Sequence, residues 1–286
     1  MILVVRVLVL NLIACMAVIG SPSLAANASG WVEGHRSRVR LIAGEATAQE
    51  RWAGVEIALD PGFKTYWRNP GESGLPPSFD WSRSANVEAV ELLWPAPARL
   101  EDGGGLSYGY AGGVVFPVRV TPRAPDKPVR LALTIDYGVC KDICIPAQAD
   151  LSLDLAVGTE SPSSAPIRQA RARVPQAQPL GAAGDLSILS VTPVSDGGKQ
   201  QIAVSVRAPA RTTPHLFVEG PDDWFLAAPE AMAPAEGGDA GASGTFRVDV
   251  DRPADAKGTV PLRLTLVAGD RAIETMTSLD ASRLSR

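Results

Sequence analysis

Clusters of basic residues are absent from this sequence, and histidine is scarce. Its 286 residues include 27 Lys and Arg, 31 Asp and Glu and 2 His, which gives a formal net charge of -4. Proteins that bind nucleic acid usually present a concentrated basic surface, so we expect no nucleic acid partner. The zinc-protease motif HExxH and the phosphate-binding loop GxxxxGKS/T are also missing, which argues against metalloprotease and P-loop NTPase activity.

Long apolar runs are missing after the N-terminus. Beyond residue 25, no stretch approaches the ~20 apolar residues that a helix needs to cross a bilayer, so we expect no transmembrane span in the mature chain. Residues 1–25 combine a positive charge at Arg6, an apolar run to Ile19, and small residues at Ser23 and Ala25. This pattern predicts a cleaved export signal and a periplasmic protein.

Cysteine is scarce as well, with 3 in the chain. Cys15 ends the stretch "LIAC", which fits a lipid-attachment pattern, but the apolar run continues past it. Lipid anchoring at Cys15 is therefore the less favoured alternative. Removal of the signal leaves Cys140 and Cys144, and two thiols this close usually pair in an oxidising compartment.

Short alternating segments bounded by Gly and Pro predict an all-β chain. From Val55, apolar and polar residues alternate as in a half-buried strand, and Asp60-Pro61-Gly62 predicts a turn that joins it in a hairpin to "FKTYW". Further segments of this kind are 77–81, 87–94, 114–120, 128–139 and 149–157. Their spacing predicts an antiparallel β-sandwich.

Two segments in this half are exceptions. Pro117 lies inside a predicted strand and cannot donate to a ladder, which predicts an edge strand or a bulge. The glycine-rich segment 101–113 predicts a mobile loop. Its Tyr108 and Tyr110 either border the cysteines or pack in the core.

The second half repeats the pattern. Residues 158–184 are rich in Ser, Pro, Ala and Gly, which predicts a linker with a short helix at 167–174. Alternation then returns in seven segments of residues 185–286, which predicts a second sandwich of the usual size for seven strands. Since this part contains no cysteine, we expect it to act as a spacer or a docking surface.

The spacing of Cys140 and Cys144 predicts a tight turn between them. In an extended strand they would lie about 13 Å apart, whereas a disulfide needs Cα atoms within about 7 Å. Both flanking segments alternate, so residues 141–143 are predicted to form a three-residue hairpin turn. A helical turn would also bring the cysteines together, but the β-branched residues and the proline around them form a poor helix.

Two roles for such a disulfide remain open from the residues alone. A ring of about five residues stabilises a fold by roughly 2 kcal/mol, against about 4.7 kcal/mol for a ring of a hundred, so the bond is a weak staple. A small exposed ring is also easily reduced, which favours thiol–disulfide exchange. Lys141 favours a thiolate beside it and Asp142 opposes it, so local charge does not decide between the two roles.

Three stretches resemble the N-terminal domain of the transmembrane thiol:disulfide interchange protein DsbD, and more closely its ScsB-like branch. They are "GFKTYWRNPGESGLPPSFDW" (62–81), "YGYAGGVVFPV" (108–118) and "DYGVCKDICIPAQADLSLDL" (136–155). The resemblance covers residues 30–157 well and the second sandwich more loosely. The chain resembles a soluble form of this family, without its transmembrane and thioredoxin domains.

The resemblance implies an immunoglobulin-like fold, which we expect for both sandwiches, a function and a set of site residues. Cys140 and Cys144 would be the exchanging pair, reduced by a separate DsbD-like membrane electron carrier and oxidised by thioredoxin-like periplasmic or client proteins. The family shields its cysteines with an aromatic loop, a part that Tyr66 or Trp67 could play here, with Tyr108 and Tyr110 as further candidates. Packing in the core is the alternative role for all four rings.

Metal binding is a competing hypothesis, since two thiolates suit Cu(I) or Zn(II) and ScsB-like proteins are linked to copper tolerance. His35, His215 and a few methionines are the remaining soft or imidazole ligands, and none lies near the pair in sequence. We therefore expect no metal and no cofactor. A Cu(I)-binding protein, or a non-enzymatic binding module with a structural disulfide, remains the alternative to thiol–disulfide exchange.

Overall fold

The computed structural model describes residues 26–72, 74–102, 105–158, 161–196, 198–232 and 242–284. The predicted export signal and Cys15 lie outside these ranges. Within them, no helix has the length and apolar character that a bilayer span requires.

Eleven strands are described in the first half, and they pair in two antiparallel sheets. In chain order they are β1 (Val32–Gly34), β2 (Ser37–Ala46), β3 (Arg51–Leu59), β4 (Lys64–Gly71), β5 (Ser78–Asp80), β6 (Val87–Leu92), β7 (Ala98–Asp102), β8 (Gly105–Ala111), β9 (Gly113–Pro122), β10 (Val129–Cys140) and β11 (Cys144–Leu155). One sheet has the order β1-β2-β3-β9-β6, and the other has the order β11-β10-β4-β8-β7 with β5 also on β10.

The second half begins with a helix and forms two further sheets. Its elements are α1 (Ser164–Ala172), β12 (Gln176–Ala177), β13 (Ser187–Asp196), β14 (Lys199–Ala208), β15 (Pro214–Glu219), β16 (Phe225–Leu226), β17 (Glu230–Ala231), β18 (Ala242–Asp251), β19 (Thr259–Ala268), β20 (Arg271–Asp280) and the 3₁₀ turn Ala281–Arg283. The sheet orders are β12-β20-β19-β15 and β13-β14-β18-β16, with β17 on β18. The short β12 runs parallel to β20, and the other pairs are antiparallel.

Each sandwich has a core built from the apolar side of its alternating strands. In β10, Leu131, Leu133 and Ile135 are fully buried in the first core. In β14, Ile202 and Val204 are fully buried in the second. The predicted all-β class with two immunoglobulin-like sandwiches is therefore confirmed, whereas the domain limits at 30–157, 158–184 and 185–286 stay predictions.

Helix α1 packs on the first sandwich. Ile167 is buried against Ile42 and Trp52. A Cβ at Gly54 would lie 3.0 Å from the side chain of Ile167. The guanidinium of Arg171 lies 3.7 Å from the centre of the Trp52 ring. The segment predicted as a linker is thus attached to the first sandwich by a helix. This helix begins at Ser164, three residues before the start of the predicted helix at 167.

The predicted hairpin between β3 and β4 is wrong. The turn itself is present, with the Phe63 amide donating to the Asp60 carbonyl at 3.0 Å and Gly62 at a φ of +84°. However, β3 pairs with β2 and β9, whereas β4 pairs with β8 and β10. The turn carries the chain from one sheet to the other, because alternation indicates which face is buried and not which strand lies alongside.

The loop predicted for 101–113 is also wrong, because β7 and β8 pair there. A Cβ at Gly109 would lie 2.1 Å from the Thr65 carbonyl oxygen. The glycine is therefore needed for the close approach of β8 to β4, and it does not mark a loop. Tyr108 and Tyr110 on β8 are both buried.

Pro117 lies in an internal strand with regular pairing to β3, so both predicted alternatives, an edge strand and a bulge, are wrong. Its strand, β9, has β3 on one side and β6 on the other. The ladder to β6 ends with Leu92 opposite Val118, and the Leu93 amide donates to the Pro117 carbonyl at 2.8 Å. The proline is tolerated because it stands where pairing with β6 ends.

We expect Gly109→Ala to lower the free energy of unfolding by roughly 1–3 kcal/mol, the usual cost of overpacking. The added methyl would overlap the carbonyl oxygen of Thr65. Urea unfolding followed by tryptophan fluorescence measures the change. The control is Gly244→Ala in β18, where a Cβ meets nothing within 4 Å. Equal losses in the two variants would contradict the close approach of β8 to β4.

Candidate functional site

The two cysteines close the hairpin of β10 and β11. The ladder runs along both strands and ends with Cys140 opposite Cys144. In the turn, the Lys141 amide donates to the Ile143 carbonyl at 3.3 Å. The predicted turn at 141–143 is therefore confirmed. The sulfurs are bonded, and the Cα atoms of the two cysteines lie 4.2 Å apart.

The two cysteines differ in their exposure to solvent. Cys140 is 1% exposed, whereas Cys144 is exposed. The cause is the sheet order, since β11 is an edge strand and β10 is covered on its other side by β4 and β5. Ile143, beside Cys144 in the turn, is 72% exposed. A partner protein can therefore reach Cys144 and the apolar side chain next to it, but not Cys140.

Tyr66 reaches the disulfide. Its hydroxyl lies 2.8 Å from Cys144 Sγ, and the hydroxyl donates because a disulfide sulfur carries no hydrogen. The ring is 2% exposed. A Cβ at Gly74 would lie 2.5 Å from the ring, and one at Gly138 would lie 3.2 Å from it. These two glycines form a slot, here called the tyrosine slot, that directs the hydroxyl toward Cys144.

A buried ammonium lies on the same strand as Tyr66. Lys64 is 8% exposed and stands opposite Cys140 in the β4–β10 register. Its Nζ donates to Ser107 Oγ at 2.8 Å and lies 5.8 Å from the centre of the Tyr66 ring. The Lys64 side chain thus joins β4 to Ser107 of β8.

Trp67 and Tyr108, two further candidate shields, pack where the sandwiches meet. Trp67 is fully buried, and its ring lies edge-on to Phe217 with centroids 5.7 Å apart. Tyr108 meets the same ring at 4.8 Å. Burial raises the pKa of Tyr108 to about 12, so its hydroxyl stays neutral at physiological pH. A shielding role for these two rings stays a prediction.

Tyr110, the fourth candidate, packs inside the first sandwich. Its ring lies 5.5 Å from that of Phe116, and its hydroxyl donates to the Pro95 carbonyl at 2.8 Å. Burial raises its pKa well above the usual value. These contacts describe a packed core residue, and a shielding role for it also stays a prediction.

The residues that follow Tyr66 contact the second sandwich, which the sequence analysis did not predict. Arg68 Nε lies 2.9 Å from Glu219 Oε1, and its Nη2 lies 2.8 Å from Glu219 Oε2. The same Nη2 also donates to Glu274. Asn69 Nδ2 donates to the Val218 carbonyl at 3.3 Å. No pattern in the sequence distinguishes Arg68 from an ordinary exposed arginine.

Phe217 was missed too, although the sequence carried a signal for it. Leu216, Phe217 and Val218 are consecutive and all buried. Leu216 and Val218 belong to the second core, whereas Phe217 belongs to the first. A run of apolar residues without alternation indicates a strand that is buried on both faces.

Metal ligands are few around the disulfide. Across the ranges that the structure describes, no three His, Cys, Asp or Glu side chains come together as a metal site. His35 packs its ring near Phe63, at 6.2 Å between centroids, and His215 lies on β15 of the second sandwich. After reduction of the bond, the two cysteine sulfurs would therefore be the ligands that the described residues offer to a Cu(I) ion at this hairpin.

Comparison with known proteins gives one family match. Residues 38–156 match the family described as "Thiol:disulfide interchange protein DsbD, N-terminal". The solved N-terminal periplasmic domain of ScsB from Proteus mirabilis aligns with a TM-score of 0.68 and 22% identity, over 89% of this chain and 98% of that chain. A conserved domain protein from Bacillus anthracis aligns over 90% of each chain with a TM-score of 0.21 and 8% identity, too low to indicate a shared fold. A search of the curated proteins finds no match.

The two informative comparisons cover different lengths of the chain and are consistent with each other. The ScsB domain shares the overall fold across both sandwiches, at an identity that shows the fold alone. The family match begins in β2, extends to the end of β11 and includes both cysteines. The resemblance that the three sequence motifs predicted is confirmed, since all three lie within residues 38–156, which match the DsbD N-terminal family.

Proposed function

We propose that the Cys140–Cys144 pair is a redox-active disulfide of the periplasm, which passes electrons from a separate DsbD-like membrane carrier to thioredoxin-like or client proteins. The observation that carries the proposal is the asymmetry of the pair. Cys144 is exposed at a hairpin tip beside Ile143, whereas Cys140 is buried. An exchanging pair needs one sulfur that a partner can reach and one that stays within reach of the first.

The reaction consists of two exchanges that move two electrons. A thiolate of the reduced carrier attacks Cys144 Sγ, the Cys140–Cys144 bond breaks, and Cys140 leaves as a thiolate. The carrier's second thiolate attacks its own bonded sulfur, which releases Cys144 as a thiolate and leaves the carrier oxidised. Cys144 then attacks the disulfide of the next partner, and Cys140 attacks Cys144 Sγ, which restores the bond and releases the partner as a dithiol.

A purely structural role explains less of the geometry. The hairpin pairs through strands of 12 residues each, so its ends are held together without the bond. A ring of about five residues adds roughly 2 kcal/mol by restricting the unfolded chain. An exposed sulfur is also not needed in a staple, whereas it is required for exchange.

Tyr66 has a chemical part in this scheme. In the oxidised protein its hydroxyl donates to a weak acceptor, the Cys144 sulfur. When Cys144 becomes a thiolate, the same hydrogen bond becomes charge-assisted and roughly twice as strong. Tyr66 therefore stabilises Cys144 as the ionised sulfur that leaves the carrier and attacks the next partner.

We expect Cys140→Ala to trap a mixed disulfide with a thioredoxin-like partner through Cys144, because the sulfur that resolves the complex is missing. Cys144→Ala should trap little, since Cys140 is buried. Purified protein is mixed with the oxidised partner, and the adduct is measured by non-reducing electrophoresis and mass spectrometry. Absence of an adduct from both variants, with a reduction potential below about -300 mV for the native pair, would refute the proposal in favour of a staple.

A second prediction concerns docking at the hairpin tip. Ile143→Asp should slow exchange with a protein partner about tenfold, because an apolar contact of about 1–2 kcal/mol is replaced by a charge. Reduction by dithiothreitol should change little, since a small molecule needs no docking surface. Stopped-flow measurement with both reductants gives the ratio. The matched control is Met276→Asp, which changes an exposed apolar side chain of the second sandwich. Equal slowing with both reductants would show that Ile143 acts on the disulfide itself.

A further inference from the structure

The segment from Tyr66 to Gly71 departs from the regular ladder of β4. Tyr66 pairs with Gly109 of β8, and the next pair in the register joins Gly71 to Ser107. Four residues of β4 (67–70) therefore lie between these two pairs, against one residue of β8, Tyr108, which identifies an irregularity at 67–70. Regular pairing with β8 does not determine the position of this segment, so other contacts must do so.

Those contacts come from the second sandwich. Trp67 packs on Phe217, with ring centroids 5.7 Å apart. Arg68 forms a bidentate ion pair with Glu219 on β15 and a second ion pair with Glu274 on β20. The Arg68 side chain is 17% exposed, so solvent screens these pairs only in part.

Two constraints fix the position of Tyr66: the tyrosine slot around its ring, and the contacts of the two residues that follow it. The tyrosine slot leaves the ring little lateral freedom, because any side chain at Gly74 or Gly138 would press on it. How far the hydroxyl extends toward Cys144 is then set by the backbone that carries Tyr66. That backbone continues directly into Trp67 and Arg68, which are fixed on the other sandwich.

We propose that the second sandwich holds Tyr66 in hydrogen-bond contact with Cys144, and that Arg68 is the positioning residue of this contact. The inference rests on the proposed exchange function of Cys144 and adds to it a role for residues 185–286 beyond spacing. Glu219 and Glu274 hold Arg68, Arg68 holds the irregular segment, and the segment places the Tyr66 hydroxyl. The reactivity of Cys144 thereby depends on charges in the other sandwich.

The test measures the ionisation of Cys144 without any protein partner. In a full chain with Cys140→Ala, the rate of alkylation by iodoacetamide is followed against pH, and the peptide that carries Cys144 is quantified by mass spectrometry. Adding Tyr66→Phe should move the midpoint upward by about one pH unit, since it removes a hydrogen bond to a thiolate. Adding Arg68→Gln should move it in the same direction, because the hydroxyl is no longer held in place.

The variants of the second sandwich make the test specific. Glu219→Gln combined with Glu274→Gln should reproduce the shift of Arg68→Gln, and it also replaces that variant if Arg68→Gln does not fold. Arg68→Gln added to Tyr66→Phe should cause no further shift, because both act through one contact. The control is Arg99→Gln, since Arg99 also reaches the second sandwich, at the Pro229 carbonyl, from β7. It should leave the midpoint unchanged.

Each result decides the matter. A shift with Tyr66→Phe but not with Arg68→Gln or the glutamate pair would refute the role of the second sandwich. No shift with Tyr66→Phe would refute the hydrogen bond to the thiolate. An equal shift with Arg99→Gln would show a general effect of loosening the two sandwiches. Failure to trap a partner on Cys144 would instead refute the exchange function, while the pH profile of alkylation would still report on the Tyr66 contact.

Discussion

The position of strand β4 is the constraint on which the site depends. It lies between β10 and β8, and both neighbours contribute a glycine where it passes. Gly109 lets the backbone of β8 approach Thr65, and Gly138 leaves room for the Tyr66 ring. Close packing of these strands therefore confines the Tyr66 ring laterally. The contacts of Trp67 and Arg68 with the second sandwich act on the other variable, which is how far the hydroxyl extends toward Cys144.

Arg68 explains how two sandwiches keep one relative arrangement. Burial by itself lowers the pKa of Arg68, but the hydrogen bonds and charges of Glu219 and Glu274 outweigh it, and its pKa is raised. Such a pair adds little net stability, yet removing one partner costs about 3–5 kcal/mol when the other charge stays buried. The ion pairs therefore act mainly on specificity, because sliding the sandwiches would separate the charges. Apolar burial around Phe217 supplies the attraction, and Arg68 determines where the surfaces meet.

Local patterns in the sequence predicted the strands and two hairpins, of which one is present, but they did not predict the neighbours of each strand. The cysteine spacing was sufficient for the turn at 141–143, because both flanking strands continue without interruption and must pair. The turn after β3 was misassigned because a turn does not reveal whether the chain returns to the same sheet. The glycines of 101–113 suggested a loop because glycine marks both turns and close strand contacts. Tyr66 and Trp67 could not be separated, since the register of β4 decides which ring faces the hairpin.

The edge position of β11 separates the exposed cysteine, Cys144, from the buried part of the fold. Cross-strand partners normally share one environment, but here the inner strand buries Cys140 while the edge strand exposes Cys144. An exposed edge invites pairing with other strands, and this one carries features that oppose it. Pro146 lacks an amide hydrogen, and Asp150 and Asp154 place charges along the strand, paired with arginines. Strand addition along β11 is thereby disfavoured, so the hairpin tip with Ile143 is the part of this edge best suited to a partner's approach.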